Sequence, residues 1–191
     1  MRNSTLAVSA TNYATAGNGG QLTAEVAASA SPDGKLLFLG HNTSDIVEAF
    51  RTNPDGTLVL PGSTVVSRLP LSLAPHPTLS IVYTVDLVRP ASCNIQAIGY
   101  DSGTGAISLG ASVPIATECR GLAVDPSGSY LVSAHILGSM VGIQVHALDG
   151  TGALTSSTSY PIAGAGRPDD VVFDPTGSFL YVGDLDNGIY A

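Results

Sequence analysis

Residues 174–181, Asp-Pro-Thr-Gly-Ser-Phe-Leu-Tyr, place a tight turn directly before an apolar run, and the chain contains this pattern four times. The other copies are residues 31–38, 76–83 and 125–132, and the prolines of the four copies lie 45, 49 and 49 residues apart. This period is the length of a four-stranded propeller blade and is too long for most helical repeats. The sequence therefore predicts a repeat protein.

A second set of turns recurs in step with the first. Gly56, Gly105 and Gly152 each begin a Gly-x-apolar triplet, at spacings of 49 and 47 residues. Short alternating runs lie between the two sets of turns and predict four strands per unit. In the third unit these strands are expected at 121–124, 129–134, 141–148 and 154–162. Four-stranded sheets stacked radially make an all-β propeller.

Composition agrees with a turn-rich all-β domain. The chain has 191 residues, of which 22 are Gly, 12 are Pro and 44% are hydrophobic. This length fits one domain with a proper core. We therefore expect a single propeller domain over residues 1–191, with units at about 20–74, 75–123, 124–172 and 173–191.

Charge and motifs exclude several classes of function. The net charge is −8 with seven Lys and Arg, which argues against nucleic-acid binding. No signal peptide or transmembrane run is visible, so a soluble chain, cytoplasmic or secreted, is expected without a membrane partner. No zinc spacing, Gly-x-Ser-x-Gly elbow or phosphate loop occurs, and no cofactor or metal is predicted.

The two cysteines do not form a disulfide framework. Cys93 begins the third strand of the second unit, and Cys119 precedes the first strand of the third unit. Both positions fall toward the same face of neighbouring units. Two free thiols are the expected state, and a disulfide is the alternative.

These features together resemble the lactonase family of seven-bladed propellers. The resemblance is carried by residues 174–185, by the Thr-Gly-Ala-Leu-Thr turn at 151–155 and by the period near 49, and it covers roughly residues 20–191. The family includes 6-phosphogluconolactonase-type enzymes of carbohydrate metabolism and fungal carboxy-muconate lactonizing enzymes, and it is similar to non-catalytic propellers with Tyr-Val-Thr-Asn repeats. The resemblance implies the fold and favours hydrolysis of a small anionic sugar lactone. A non-catalytic propeller that binds a ligand or protein through its channel face is the alternative.

Blade geometry predicts where a site would lie. The first strand of each unit begins, and the second strand ends, at the same mouth of the central channel. Four titratable residues occupy equivalent positions at the ends of the second strands and are expected to ring this channel: His41, Asp86, His135 and Asp184.

Arginines are also concentrated at this mouth. Arg68, Arg120 and Arg167 precede first strands, and Arg89 lies in a loop on the same face. Lactone hydrolysis needs a base, an oxyanion donor and, for an anionic substrate, a cation. His135 is the candidate base and Arg120 the candidate oxyanion contact, close enough to share a ligand. Arg68 and Arg167 are candidate contacts for the anionic group, and the strand-end residues complete the candidate substrate site.

A structural role is the alternative for the same residues. Each Arg can pair with Glu118, Asp169 or Asp170 and tie neighbouring blades together, and strand-end side chains can satisfy turn amides. Members of the resembled family often have His just before the first-strand apolar run. Here Asp170 stands at that position in the fourth unit, where it is a further candidate contact for the substrate, and Gly121 stands there in the third.

The repeats account for about three and a half blades, whereas seven would need roughly 340 residues at this period. Three arrangements remain open. The chain is a piece of a longer seven-bladed protein, or residues 5–9 add a strand to the fourth unit, or a second copy closes the ring. Exposed blade edges also predict self-association.

Overall fold

The computed structural model describes residues 26–42, 44–65, 69–88, 92–115, 117–136 and 141–191. These residues contain no helix and form four antiparallel sheets, arranged as four blades around a central cavity. The predicted all-β propeller of four-stranded blades is confirmed. Within these ranges no helix is long and apolar enough to cross a membrane.

Each blade follows chain order from its inner to its outer strand. Blade 1 contains β1 (Val26–Ala30), β2 (Leu36–His41), β3 (Ile46–Thr52) and β4 (Leu58–Val65). Blade 2 contains β5 (Pro70–Pro75), β6 (Ile81–Val88), β7 (Ser92–Tyr100) and β8 (Ile107–Ile115). Blade 3 contains β9 (Cys119–Val124), β10 (Tyr130–His135), β11 (Gly142–Leu148) and β12 (Leu154–Pro161). Blade 4 contains β13 (Pro168–Phe173), β14 (Leu180–Asp184) and β15 (Gly188–Tyr190).

The strands predicted for the third unit agree with blade 3 to within two residues. The innermost strand begins at Cys119 rather than at residue 121. Residues 5–9, the added strand in one of the three open arrangements, lie outside the described residues.

The repeated turn is held by the side chain of its first residue. The Asp125 carboxylate accepts a hydrogen bond from the Tyr130 amide at 2.7 Å, and Asp174 accepts one from Phe179 at 2.8 Å. The Ser31 hydroxyl plays the same part in blade 1. Such side-chain acceptors satisfy amides that the turn leaves without a backbone partner. The turn therefore forms from local sequence alone.

Blade 2 has His76 at the first position of this turn. Its Nδ1 accepts hydrogen bonds from the Leu79 and Thr78 amides at 3.0 and 3.2 Å. Its Nε2 donates to the carbonyl of Gly128, in the corresponding turn of blade 3, at 3.1 Å. The imidazole therefore completes its own turn and joins two blades.

Apolar side chains fill the space between consecutive blades. Three clusters lie between blades 1 and 2, 2 and 3, and 3 and 4. The cluster between blades 2 and 3 contains a disulfide between Cys93 and Cys119, whose Cα atoms are 5.9 Å apart. The expectation of two free thiols is wrong, because the two fully buried cysteines face each other across this interface.

Candidate functional site

The innermost strands of all four blades line one cavity of about 460 Å³. Both charged and apolar side chains reach it. Its described lining residues are Ala27, Ala28, Leu71, Ser72, Leu73, Arg120, Gly121, Leu122, Asp169 and Asp170. Two of the predicted site residues, Arg120 and Asp170, are therefore at the cavity.

Arg120 is held beside the cavity by carboxylates from two blades. Its Nη2 lies 3.3 Å from Oε1 of Glu118, two residues earlier in blade 3. Its Nη1 lies 3.9 Å from Oδ1 of Asp169, in blade 4. The side chain keeps 26% exposure, so these ion pairs orient the guanidinium while part of it stays open to solvent.

A close backbone approach brings Asp170 to the same place. A Cβ at Gly121 would lie 2.6 Å from the Cα of Asp170 and 2.8 Å from the carbonyl oxygen of Asp169. Only glycine allows β9 and β13 to come this close. A histidine at position 121, where the resembled family often has one, would therefore not fit this packing.

The four strand-end residues are equivalent, as predicted, but none lines the described cavity. In each blade the candidate residue pairs with the first residue of the innermost strand, although β6 of blade 2 continues two residues beyond Asp86. His135 and Asp86 are fully buried, and Asp184 is 6% exposed. The sequence predicted the equivalent positions of these residues along the strands, but it did not predict the direction in which their side chains point.

His135 lies in a buried hydrogen-bonded cluster in blade 3. Its Nε2 is 2.8 Å from the Ser133 hydroxyl, which is 3.0 Å from Nε2 of His146, and its Nδ1 is 2.6 Å from the hydroxyl of Thr117. Burial, and then the neighbouring His146, lower the pKa of His135 to about 4. Burial lowers the pKa of His146 to about 4 as well. Both imidazoles are therefore neutral near pH 7.

Arg120 and His135 do not meet at a common ligand position. His135 pairs with Cys119, whose sulfur is bonded to blade 2, whereas Arg120 reaches Asp169 in blade 4. A bulge in β9 places Arg120 and Gly121 opposite the single residue between Ser133 and His135. The expected pairing of the two side chains is corrected: they point toward opposite neighbouring blades.

Asp184 stabilises the turn that follows β14. Its two carboxylate oxygens accept hydrogen bonds from the amides of Gly166, Arg167, Asp186 and Asn187 at 2.8 to 3.0 Å. Burial acts to raise the pKa of Asp184, but these hydrogen bonds outweigh it and leave the pKa below its ordinary value. Arg167 is bonded through Nε and Nη2 to the exposed Asp186, at 2.8 to 3.1 Å. Asp184 thus satisfies turn amides, as the alternative role expects, whereas Arg167 pairs within blade 4 and does not tie neighbouring blades together.

The remaining predicted residues have local partners or lie outside the described chain. Nε2 of His41 is 2.7 Å from Oε2 of the buried Glu48. The Asn94 amide donates to Asp86 at 3.3 Å. Arg68 and Arg89 are outside the described residues.

Sequence reasoning missed the partners of His135. Ser133 stands two residues before it on the same strand, and His146 lies on the adjacent strand. Period-two alternation places Ser133 and His135 on one face. The available signal was therefore that alternation, combined with the strand register. Among the described residues, no group of three His, Cys, Asp or Glu side chains is arranged to hold a metal ion.

No protein-family model matches the chain, and no curated protein sequence matches it. Solved structures do match its fold. A protein from Lactobacillus plantarum has a TM-score of 0.70 at 20% identity, over 88% of this chain and 51% of its own length. A Bacteroides uniformis protein provisionally named a 6-phosphogluconolactonase also has a TM-score of 0.70 at 20% identity, over 87% of this chain and 49% of its own length. A periplasmic gluconolactonase from Pseudomonas aeruginosa has a TM-score of 0.64 at 19% identity, over 82% of this chain and 46% of its own.

A chain of a mitotic checkpoint complex also matches, with a TM-score of 0.65 at 16% identity, over 86% of this chain and 49% of its own. The chain thus spans about half the length of the solved structures that it matches. The predicted resemblance to the lactonase propellers is confirmed at the level of the fold.

Proposed function

We propose that the central cavity binds a small sugar lactone and that the protein hydrolyses its ring ester. The observation that carries this proposal is the meeting of Arg120 with Asp169 and Asp170 at the wall of one cavity. A guanidinium beside carboxylates supplies a donor for a carbonyl oxygen and acceptors for sugar hydroxyls or a water molecule. The shared fold with proteins named as lactonases supports the same reaction class.

In the proposed reaction, Arg120 donates hydrogen bonds to the lactone carbonyl oxygen and stabilises the negative charge that develops on it. Asp170 accepts a proton from water as the water oxygen bonds to the carbonyl carbon. The ester bond between that carbon and the ring oxygen then breaks, and Asp170 gives the proton it accepted to the ring oxygen, which restores the carboxylate. The product is an open-chain hydroxy acid. Buried in its own cluster, His135 is not used.

The charge at the cavity favours a neutral sugar over a phosphorylated one. The described lining contains one Arg and two Asp residues. Arg167, the sequence candidate for an anionic group, is bonded to Asp186 and does not line the cavity. Carboxylates accept hydrogen bonds from hydroxyls and repel phosphate. The anionic substrate remains the second choice.

The test measures the hydrolysis of gluconolactone and of its 6-phosphate by the full chain. The reaction is monitored by the release of acid, and the rate of spontaneous lactone ring opening is subtracted. Arg120→Ala is expected to lose about 100-fold in kcat/KM, the usual effect of removing an oxyanion donor. Arg51→Ala is the control, because the Arg51 side chain is bonded to the carbonyl of Gly103 away from the cavity. A wild-type rate equal to the background, or equal losses in both variants, would contradict the proposal.

Binding without chemistry is the second candidate function. The ion pairs of Arg120 with Glu118 and Asp169 would equally serve a structural role, in which Arg120 joins blade 3 to blade 4. In that case the cavity face holds a ligand or a protein partner. Gluconolactone would then bind, with an affinity that Arg120→Ala weakens, and would not turn over.

A further inference from the structure

The innermost strands of blades 2, 3 and 4 each contain a β-bulge at the same place. In β5, Leu71 and Ser72 stand opposite a single residue of β6. In β9 the bulge holds Arg120 and Gly121, and in β13 the extra residue is Asp169. The pairing of β1 with β2 has no such shift. Bulges redirect side chains and are frequent next to active sites.

All five of these bulge residues line the central cavity. Ser72, Gly121 and Asp170 follow one another at spacings of 49 residues, so they are equivalent positions of three blades. At this position blade 4 presents a carboxylate, blade 3 presents bare backbone and blade 2 presents a hydroxyl. Ser72 therefore belongs to the same structural set as Asp170, the proposed base.

The hydroxyl of Ser72 is fixed at the cavity wall by a neighbouring blade. Its oxygen accepts a hydrogen bond from the amide of Leu122, in β9, at 3.0 Å. The equivalent amide of blade 4 is that of Val171, which donates to Oδ1 of Asp170 at 2.9 Å, because the preceding blade offers only Gly121.

The proton of the Ser72 hydroxyl remains available to a ligand. A hydroxyl accepts through its lone pairs and donates its one proton, and the bond from Leu122 uses only a lone pair. Among the residues that the structure describes, none accepts a hydrogen bond from Ser72. The cavity wall therefore carries a second donor besides Arg120.

Ser72 and Arg120 lie on different sides of β9. Ser72 approaches this strand from blade 2, whereas the guanidinium of Arg120 lies 3.9 Å from Asp169 in blade 4. A lactone whose carbonyl contacts Arg120 can extend along the wall toward Ser72. On either side of Ser72, Leu71 and Leu73 also line the cavity and offer aliphatic contact to the C–H groups of a sugar ring.

We propose that Ser72 is a further binding residue of this site, which donates a hydrogen bond to one ring hydroxyl of the lactone and thereby selects substrates that carry it. This role rests on the proposed function of the cavity. The contact is made to a part of the ring that does not change charge during the reaction. It therefore contributes equally to binding of the substrate and of the transition state, and its loss should appear in KM rather than in kcat.

The experiment compares the wild type with Ser72→Ala on gluconolactone and on its monodeoxy analogues. Ser72→Ala is expected to raise the KM for gluconolactone about 5-fold, the usual effect of one neutral hydrogen bond, and to leave kcat within about twofold. One monodeoxy lactone should have a raised KM in the wild type and no further increase in Ser72→Ala. A wild type that hydrolyses every monodeoxy lactone with the KM of gluconolactone would overturn the proposal, whether or not the variant folds.

Tyr83→Phe is the matched control. The Tyr83 hydroxyl donates to the carbonyl of Gly152 and so also joins blades 2 and 3, but Tyr83 does not line the cavity. If Ser72 only ties the two blades together, Ser72→Ala and Tyr83→Phe should both lose stability and both keep the wild-type KM. Thermal unfolding measures this stability and verifies that each variant is folded at the assay temperature.

A stable analogue separates this proposal from the hydrolysis itself. 1,5-Anhydro-D-glucitol has the ring hydroxyls of gluconolactone but no ester, and calorimetry measures its binding. Weaker binding to Ser72→Ala, in a protein that hydrolyses no lactone, would contradict the proposed reaction and support the role of Ser72. Hydrolysis with an unchanged KM in Ser72→Ala would overturn the role of Ser72 alone. A wild type that neither binds the analogue nor hydrolyses the lactone would overturn both.

Discussion

His135 and His146 share the hydroxyl of Ser133, which lies 2.8 Å from Nε2 of one and 3.0 Å from Nε2 of the other. Because a hydroxyl has one proton, it donates to one imidazole and accepts from the other. The two rings therefore have opposite roles at Nε2, and both are satisfied while neutral. If both imidazoles were protonated, two cations would lie around the single Ser133 oxygen in a buried site.

We predict that the protein loses stability between pH 6.5 and about pH 4. The pKa of each histidine is about 4 in the folded chain and returns to 6.5 on unfolding, so the unfolded chain binds protons first as the pH falls. Above pH 6.5 neither state is protonated and the effect vanishes. At pH 5.5 the expected loss is on the order of 1 kcal/mol per histidine. Urea unfolding at pH 7.5 and 5.5 measures it.

Variants at these two positions test the cause of this pH dependence. His135→Gln and His146→Gln keep a hydrogen-bonding group near Ser133 but cannot titrate. Each should reduce the difference in unfolding free energy between pH 7.5 and 5.5 by about half, and the double variant should remove most of it. An unchanged difference in the double variant would show that other groups cause the acid sensitivity.

The Cys93–Cys119 disulfide should make a large contribution to stability. It joins blades 2 and 3 across 26 residues of chain, which restricts the unfolded state. Loop-closure entropy for that separation corresponds to about 3.5 kcal/mol. Replacing both cysteines by alanine should lower the free energy of unfolding by about this amount in urea titrations. Equal stability, or two thiols that react in the denatured and unreduced wild type, would contradict the prediction.

The fold could be predicted from the sequence because each repeat contains turn signals that act locally. The turn acceptors Asp125 and Asp174 and the glycines three residues after them, Gly128 and Gly177, need only their near neighbours to act. Both glycines have positive φ, at 75° and 72°, which glycine adopts without strain. Period and turn chemistry therefore predict about three and a half blades without any knowledge of contacts between them.

The site could not be predicted to the same extent because it depends on contacts between strands and between blades. The bulge that turns Arg120 away from His135 arises where β9 pairs with β10, and no residue type in the sequence predicts it. Likewise, Cys119 bonds to Cys93 of another blade, and Gly121 matters because β13 approaches it. Equivalent sequence positions thus gave the correct end of each strand, while packing determined which side chains reach the cavity.

Asp184 and Asp186, only two residues apart, should differ sharply in their effect on stability. Asp184 accepts hydrogen bonds from four backbone amides around a buried carboxylate, and removing it leaves those donors without an acceptor. Asp184→Ala should therefore cost about 2 to 4 kcal/mol of unfolding free energy. Asp186→Ala removes only the exposed ion pair with Arg167 and should cost less than about 1 kcal/mol. Urea titrations of both variants measure the difference, and equal stability of the two variants would show that Asp184 does not hold this turn together.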